Sequence, residues 1–288
     1  MIKGKIVSLN AGNFLPTTRK YTFSLASNDL ARKIALKLEK IEADIIVAQE
    51  IWNFPERIFG DKYDFRGLND TIAVKKDFGT IVTESYRSNA KRFKNGLHGT
   101  VNSIPEAQLE KDPYRGFVDS KYGIPCDFDV TSLIVKHQET GQKLLIVNVH
   151  VHSSSKNDLV RAREIRSWII EDCWNRAETE TDGRVLIAGD FNQDEYRHPD
   201  AESSYAIREL KAIESIHDAS KGDLTPTTNY PIFKSRLDHI FGSASFSDYD
   251  VQQSLLFDDF KGLKHRHPLT WWMHLDHRLI YTEFEFLS

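Results

Sequence analysis

The sequence is poor in cysteine and has no long apolar run. Its two cysteines, Cys126 and Cys173, lie far apart in the chain, which favours a reduced, intracellular protein over a disulfide scaffold. No run approaches the roughly 18 apolar residues of a membrane-spanning helix, and the first residues, Met1 to Ile6, lack the apolar core of a signal peptide. We therefore expect a cytoplasmic protein without a membrane span.

The chain also lacks an excess of basic residues. Lysine and arginine number 38 against 42 aspartates and glutamates, a formal net charge of -4, which argues against a wholly basic nucleic-acid coat but not against local basic patches. No obligate protein partner is evident. No repeat, low-complexity tract or linker divides the chain. We interpret residues 1–288 as one domain, because sandwiches and barrels reach about 250 residues as single units.

One apolar strand and its polar end dominate the pattern. Val185 to Ala188 are four consecutive apolar residues that run into Gly189, where the backbone can turn and approach another group. Asp190 and Asn192 follow and face the same side in an extended geometry. A carboxylate beside an amide suits metal-assisted attack on phosphate, because the acid can orient water and the amide can hold a charged oxygen. A strand followed by an ordinary Asx turn would show the same pattern.

The N-terminal part predicts a strand-helix-strand unit. A short apolar strand ends at Asn10, and apolar residues then recur at helical spacing from Leu30 to Ile41. A second strand follows directly and ends at Glu50. A helix that joins two strands in this way is typical of a crossover that covers one face of a sheet.

The middle of the chain predicts two hairpins separated by a long unpatterned stretch. Residues 71–74 and 80–83 are expected to pair with each other, and residues 130–135 are expected to pair with 143–151. The second hairpin ends at His150 and His152, which share a face. Periodicity is absent from about 85 to 125, and we interpret this stretch as a long insertion, of a length that is usually functional or mobile.

The C-terminal half alternates helices with strands. Helices are predicted at about 159–175 and 203–213, with a polar link at 178–183. Two further strands, at about 236–241 and 276–286, carry Asp238 and, at the strand entrance, Asp276 and His277. The whole pattern predicts an α/β fold with two mostly antiparallel sheets packed face to face and flanked by helices.

The polar residues at the strand ends form a coherent chemical set. They are Asn10, Glu50, His150, Asp190, Asn192, Asp238, Asp276 and His277. Carboxylate and amide oxygens are ligands of Mg²⁺ or Mn²⁺, and a histidine beside a carboxylate can act as a general base. The set has no cysteine and no closed histidine cluster, so structural zinc is not expected.

These residues occur in six short motifs whose order resembles that of the endonuclease/exonuclease/phosphatase superfamily. The motifs are Ser8-Leu-Asn10, Gln49-Glu50, Val147-Asn-Val-His150, Gly189-Asp-Phe-Asn192, Arg236-Leu-Asp238 and Leu275-Asp-His277. The resemblance covers Lys5 to Phe286. It implies a four-layered α/β sandwich, an active site at the top between the two sheets, and hydrolysis of phosphate esters with Mg²⁺ or Mn²⁺.

The resemblance also implies roles for residues of the first two and the last two motifs. Glu50 would be the principal metal ligand, helped by Asn10 and Asp276. His277 would pair with Asp238 and act as a base or stabilise the phosphate. The last motif is often Ser-Asp-His, and here a leucine replaces the serine without removing the Asp-His pair.

The central motifs would carry the reaction itself. By the resemblance, Asp190 would activate or orient the attacking water, and Asn192 would bind the phosphate. His150 would contact a non-bridging oxygen or protonate the leaving group. His152 is an alternative, because His152-Ser-Ser resembles a run of the deoxyribonuclease I branch.

Two basic stretches with aromatic residues indicate a nucleic-acid substrate. Their candidate substrate-binding residues are Arg87, Lys91, Arg92, Lys94, Lys264, Arg266 and Trp271. Cations would hold a phosphate backbone, and rings would stack on bases. Both stretches could equally be solvated loops.

We therefore predict a metal-dependent phosphodiester hydrolase, with a nuclease for DNA or RNA as the leading hypothesis. An alternative is a phosphatase or phosphodiesterase for inositol phosphates or phospholipid headgroups. A binding module without catalysis fits poorly, because every motif residue expected to do chemistry is present.

Overall fold

The structure is a computed structural model of the chain. It describes residues 1–11, 26–51, 55–67, 70–88, 128–151, 174–193, 205–223, 225–228, 235–252 and 277–287. The strands are β1 (Ile2–Asn10), β2 (Ile45–Gln49), β3 (Tyr63–Arg66), β4 (Thr71–Lys75), β5 (Gly79–Ser88), β6 (Phe128–His137), β7 (Lys143–Val151), β8 (Val185–Asp190), β9 (His217–Asp218), β10 (Asp238–Gly242), β11 (Ser245–Val251) and β12 (Ile280–Phe286). The described helices are α1 (Ala26–Ile41), α2 (Pro55–Phe59), α3 (Asn175–Thr181) and α4 (Tyr205–Lys211), with a 3₁₀ helix at Gly60–Lys62.

The strands form two six-stranded sheets. The first has the order β11-β12-β1-β2-β4-β3, and the second has the order β5-β6-β7-β8-β10-β9. Each sheet contains one parallel pair, β1 with β2 and β7 with β8, and the other described neighbours are antiparallel. Because the carboxyl ends of parallel neighbours lie at the same edge, each sheet places the ends of its two central strands side by side.

Three apolar layers hold the sandwich together. The central layer lies between the sheets and includes Ile6, Val47, Ile146 and Leu186. A second layer lies between the first sheet and α1, whose Ala31, Ile34, Leu38 and Ile41 are buried at helical spacing. The third lies between the second sheet and α3 and α4, and includes Ala177, Ile207 and Leu210. Helices thus cover the outer faces of both sheets, and the predicted four-layered α/β sandwich is confirmed.

A polar contact joins the sheets just below the edge where these strands end. Gln49 Nε2 donates a 2.7 Å hydrogen bond to Asn148 Oδ1, and Asn148 Nδ2 donates to the carbonyls of Ala48 and Thr71 at 2.9 and 3.1 Å. Both amides are fully buried. Buried amides need such partners, so this contact fixes the distance between the sheets beneath the candidate site.

The first predicted hairpin is wrong. Residues 71–74 lie on β4 in the first sheet, whereas 80–83 lie on β5 in the second sheet, where β5 pairs with β6. The turn between them buries Phe78 between the sheets, against His137 and Phe284. This burial draws the chain across the sandwich, which strand periodicity alone does not reveal. The second hairpin, β6 with β7, is confirmed.

Two other boundaries differ from the prediction. The polar link at 178–183 is wrong at its start, because Asn175–Thr181 is helical and buries Ala177 and Thr181 one turn apart. β5 continues to Ser88, three residues beyond the start predicted for the insertion. The helix predicted at 159–175 lies almost entirely outside the described residues, and α4 confirms the helix at 203–213. Within the described residues, no helix has both the length and the apolar character needed to cross a membrane.

Candidate active site

Three neighbouring strands of the second sheet bring titratable side chains to one edge. His150 on β7 lies opposite Asp190 on β8, and Asp190 lies opposite Asp238 on β10. All three residues are buried. The apolar strand β8 therefore places Asp190 at the centre of this edge, which we call the catalytic edge.

The first sheet supplies the facing wall. Asn10 at the end of β1 lies opposite Gln49, the last residue of β2, and Glu50 follows directly. Asn10 Nδ2 donates a 2.9 Å hydrogen bond to Asp190 Oδ2, which joins the sheets at the centre of the site. The backbone of Glu50 lies in the left-handed region at φ 56°, and its side chain remains 29% exposed. Glu50 therefore offers a carboxylate that solvent can reach.

The structure brings Asp238 and His277 together from different sheets. His277 Nδ1 lies 2.8 Å from Asp238 Oδ2 and donates to this carboxylate. The bond fixes the imidazole orientation and turns Nε2 toward Asp190 Oδ2, 3.6 Å away. That distance exceeds a hydrogen bond, so the contact between Nε2 and Asp190 is one of charge and proximity.

A second Asp-His pair lies on the other side of the site. His150 Nδ1 donates to Asp70 Oδ1 at 2.8 Å, and His150 Nε2 lies 3.6 Å from Glu50 Oε1. Each histidine therefore has one aspartate on Nδ1 and a second carboxylate beyond Nε2. The two pairs present the same arrangement to the space between the sheets.

The sequence prediction omits Asp70. This residue is 2% exposed, and its carbonyl accepts a 2.9 Å hydrogen bond from Thr131 Oγ1. It lies directly before β4, just as Asp238 opens β10. An antiparallel strand begins at the edge of the sheet where its neighbour ends. An acid directly before a strand that neighbours one of the two central strands is therefore the sequence signal that would have identified Asp70.

Asn192 donates two hydrogen bonds to Asp190 and a third to the backbone of β7. Its backbone N–H donates to Asp190 Oδ1 at 2.8 Å, and its side-chain Nδ2 donates to Asp190 Oδ2 at 3.1 Å and to the carbonyl of Val151. Its backbone is left-handed at φ 48°. These contacts hold the carboxylate and the amide side by side, as the one-residue spacing predicts.

Burial and neighbouring charges shift the titration of this group. Burial raises the pKa of the Asp190 carboxyl above its usual range, and the charge of Asp238 adds to this, while His277 and His150 oppose it. Burial alone lowers the pKa of His150, but the charge and hydrogen bond of Asp70 raise it to about 10. Asp190 therefore binds a proton more readily than an ordinary aspartate does, and the neighbouring His150 stays protonated at neutral pH.

The comparison with known proteins identifies the family. A sequence profile described as the Endonuclease/Exonuclease/phosphatase family matches residues 7–271. The chain belongs to the endonuclease/exonuclease/phosphatase family. The resemblance inferred from the six motifs is therefore confirmed. No curated protein matches the sequence significantly.

Solved structures of the endonuclease/exonuclease/phosphatase family share the fold over nearly the whole chain. The mannosyl-6-phosphatase of Bacteroides thetaiotaomicron is 17% identical with a TM-score of 0.63, and the match covers 98% of this chain and 99% of that chain. TDP2 of D. rerio complexed with a single-strand DNA product is 15% identical with a TM-score of 0.61, and the match covers 99% of both chains. The human Nocturnin catalytic domain with bound sulfate is 14% identical with a TM-score of 0.62, covering 99% of this chain and 95% of that one.

The described part of the family site fits a divalent cation. Asp190, Asp238 and His277 each offer one ligand atom, and these atoms lie within 4.8 Å of one another. Glu50 and Asn10 lie at the facing wall, where the predicted metal site would be. Four carboxylates, those of Glu50, Asp70, Asp190 and Asp238, accompany two histidines. A hard cation with oxygen ligands would offset this excess of negative charge.

Several predicted site residues lie outside the described residues. They are Asp276, His152, Lys91, Arg92, Lys94, Lys264, Arg266 and Trp271. Arg87 lies on β5, where only its backbone is described. One observation supports His150 as the site histidine, because its Nδ1 pairs with Asp70.

Proposed function

We propose that this chain is a divalent-metal-dependent phosphodiester hydrolase that acts on DNA or RNA. The observation that carries the proposal is the meeting of the Asp238-His277 and Asp70-His150 pairs around Asp190. Family members include nucleases and phosphatases, and both need an activated water, a charge clamp on phosphate and a proton for the leaving oxygen.

Glu50, Asn10 and Asp276 would hold Mg²⁺ or Mn²⁺, which would neutralise negative charge on the phosphate when bound. Asp190 accepts a proton from the attacking water, an action that its raised pKa supports. Asn192 holds a phosphate oxygen through its side-chain Nδ2, which exchanges its hydrogen bond to Asp190 Oδ2 for one to the phosphate. The backbone hydrogen bond from Asn192 to Asp190 Oδ1 keeps the carboxylate and the amide side by side for these two roles.

The two histidines act on opposite sides of the phosphate. Asp238 orients His277, whose Nε2 stabilises the phosphate as negative charge develops on it. Asp70 keeps His150 protonated, so its Nε2 proton can pass to the leaving oxygen. The proton that Asp190 takes and the proton that His150 gives balance over one cleavage of a P–O bond by water.

The position of the insertion supports a nucleic-acid substrate. Ser88 ends β5 opposite Asp129, which in turn lies opposite His150 on β7. The insertion between the described residues 88 and 128 therefore leaves and re-enters the sandwich at the catalytic edge. The second basic stretch runs into His277 in the same way. The cations and rings of the two stretches would bind the backbone and bases of a polynucleotide that crosses the site.

The proposal includes a single domain over residues 1–288 with an insertion at about 85–125. β1 and β12, the first and last strands, pair along seven residues from Ile2↔Phe286 to Ser8↔Ile280. Both halves of the chain therefore complete one sheet, which is the expected result for one domain.

A substrate panel tests the proposal. Purified protein with Mg²⁺ or Mn²⁺ would be incubated with plasmid, single-stranded DNA, RNA, sphingomyelin, phosphoinositides and a sugar 6-phosphate, with Asp190→Asn as the blank. We expect the polynucleotides to be cleaved fastest. Faster release from a small phosphomonoester would instead favour a phosphatase, the alternative that the mannosyl-6-phosphatase neighbour supports.

The salt dependence of binding tests the basic stretch. Replacing Lys91, Arg92 and Lys94 together by alanine should reduce the slope of log K against log salt by roughly 2 to 3 units, because each phosphate contact contributes about 0.7 to 0.9. The matched control replaces Lys3, Lys136 and Lys143, exposed cations at the opposite end of the sandwich. Equal slopes for the two triple variants would reject the assignment.

A further inference from the structure

Thr227 lies beside one Asp-His pair, hydrogen-bonded to Asp238 and to Arg278, the residue that follows His277. It is fully buried in the short described segment 225–228, between β9 and β10. Its Oγ1 accepts hydrogen bonds from the backbone N–H groups of Leu237 and Asp238, at 2.9 and 3.1 Å. A hydroxyl oxygen has two acceptor positions, so this side chain fixes the first residues of β10.

The backbone of Thr227 and Thr228 contacts the chain on the histidine side of the pair. The carbonyl of Thr227 accepts a hydrogen bond of 2.6 Å from the N–H of Arg278, and Thr228 forms an isolated β-bridge with His277. The hydroxyl of Thr227 is therefore hydrogen-bonded to the start of β10 in the second sheet, whereas its carbonyl is hydrogen-bonded to the chain that enters β12 of the first sheet.

The segment is itself anchored by hydrogen bonds. The N–H groups of Thr227 and Thr228 donate to the carbonyl of Ser235 at 2.9 and 3.0 Å, and Ser235 N–H donates to Thr228 Oγ1 at 2.9 Å. These bonds tie Thr227 and Thr228 to Ser235, three residues before β10 begins at Asp238. A shift of the Thr227 hydroxyl would move Asp238 relative to His277.

We propose that Thr227 is a positioning residue that keeps Asp238 and His277 in register across the two sheets, a role that rests on the hydrolytic function proposed above. β10 and β12 belong to different sheets and share no ladder, yet Asp238 Oδ2 and His277 Nδ1 lie 2.8 Å apart. Thr227 is hydrogen-bonded to Asp238 and to Arg278, the residue that follows His277, and so links the two chain segments that meet in this contact. Small displacements of reacting groups lower rates steeply, so the hydroxyl matters for turnover.

The test compares Thr227→Val, which removes the hydroxyl at nearly constant shape, with Thr227→Ser, which keeps it. We expect Thr227→Val to lower kcat by about 10- to 100-fold with KM little changed, and Thr227→Ser to restore most of the loss. Thr282→Val is the matched control, because it removes another buried hydroxyl, one that donates to Ser247 at 2.7 Å, and should leave kcat unchanged.

A second readout does not depend on activity. Protons shared between an imidazole Nδ1 and a carboxylate give low-field proton NMR signals, and Asp238→Asn and Asp70→Asn assign one signal to each pair. Thr227→Val should shift or remove the His277 signal and keep the His150 signal. Thr131→Val, which removes the hydrogen bond to the Asp70 carbonyl, should leave the His277 signal in place.

These readouts separate the positioning role of Thr227 from the proposed hydrolytic function. An unchanged His277 signal in folded Thr227→Val overturns the proposal, as does loss of both signals to the same extent, which would show general loosening. If the wild type hydrolyses no phosphoester, the proposed function fails, while the NMR comparison still decides whether Thr227 positions the pair.

Discussion

At the residue scale, two aspartates hold the two site histidines in the same geometry. Asp238 and Asp70 each accept a hydrogen bond of 2.8 Å from an Nδ1, and in each pair Nε2 lies 3.6 Å from a further carboxylate. An acid that orients a histidine and the histidine itself act as one unit. Their contributions to the rate should therefore not multiply.

We expect Asp238→Asn and His277→Ala to be non-additive in kcat/KM. Each single change should lower the rate on the order of 10²-fold or more, the range of general acid-base catalysis, and the double variant should lose little beyond the worse single variant. Steady-state kinetics of the wild type, the two single variants and the double variant gives the coupling free energy between the two residues. Fully multiplicative losses would separate the two residues.

His239 is buried as a neutral ring on the outer side of β10. It stacks on Phe241 at an interplanar angle of 14°, and burial, with the charge of Arg236, lowers its pKa far below 6.5. The unfolded chain therefore binds a proton below about pH 6.5 that the folded chain does not bind. The stability from this residue is present above that pH and is lost as the pH falls toward the folded pKa.

We expect His239→Phe to make the protein less sensitive to acid. Between pH 6 and 4 (roughly), the wild type should lose up to about 1.4 kcal/mol of unfolding free energy per pH unit more than the variant. Urea titrations in EDTA measure this. His217→Phe, at an exposed histidine, is the control, and a wild-type-like slope in His239→Phe would show that the ring is not kept neutral.

At the element scale, the end of β8 depends on one glycine. Gly189 has φ 142°, and a Cβ there would lie 2.0 Å from the carbonyl oxygen of Val149. This close approach keeps β7 and β8 paired up to His150 and Asp190. The requirement for a glycine before Asp190 is thus imposed by the backbone of the neighbouring strand.

We expect Gly189→Ala to destabilise the protein much more than Gly183→Ala. Gly183 also has a positive φ, 77°, but a Cβ there meets nothing within 4 Å, so only the left-handed backbone is disfavoured, by roughly 1–2 kcal/mol. Gly189→Ala adds a clash and should cost at least about 3 kcal/mol more. Denaturant unfolding of both variants checks this, and similar losses would contradict the close approach.

The elements that sequence predicts best are those with strong periodicity. The apolar runs of β2 and β8 and the amphipathic face of α1 are present where predicted. The edge strands β3 and β11 were not predicted, because β3 has only four residues and β11 is largely polar, with exposed residues in both. The prediction of a hairpin at 71–83 is wrong for a different reason. Phe78 is buried between the sheets, and β5 therefore lies in the other sheet.

At the scale of the whole molecule, the site exists only where two sheets meet. Asn10, Glu50, Asp70 and His277 come from the first sheet or its borders, and the remaining described site residues come from the second. The order of the motifs predicts this meeting through the family resemblance. Asp70 carries only the weak signal of an acid just before a strand, and its partner His150 lies on the other sheet. Thr227 escapes the sequence prediction because its role depends on contacts with Asp238 and Arg278, which no local pattern encodes.

The metal dependence of hydrolysis tests the central claim most directly. On the substrate that the wild type cleaves fastest, activity should disappear in EDTA and return with Mg²⁺. Glu50→Gln, which replaces an ionised oxygen ligand with a neutral one, should require more Mg²⁺ and be partly rescued by excess Mn²⁺, whereas Asp190→Asn should stay inactive at every concentration. Hydrolysis that persists in EDTA, or wild-type activity of Glu50→Gln at limiting Mg²⁺, would contradict a metal-dependent hydrolase at this site.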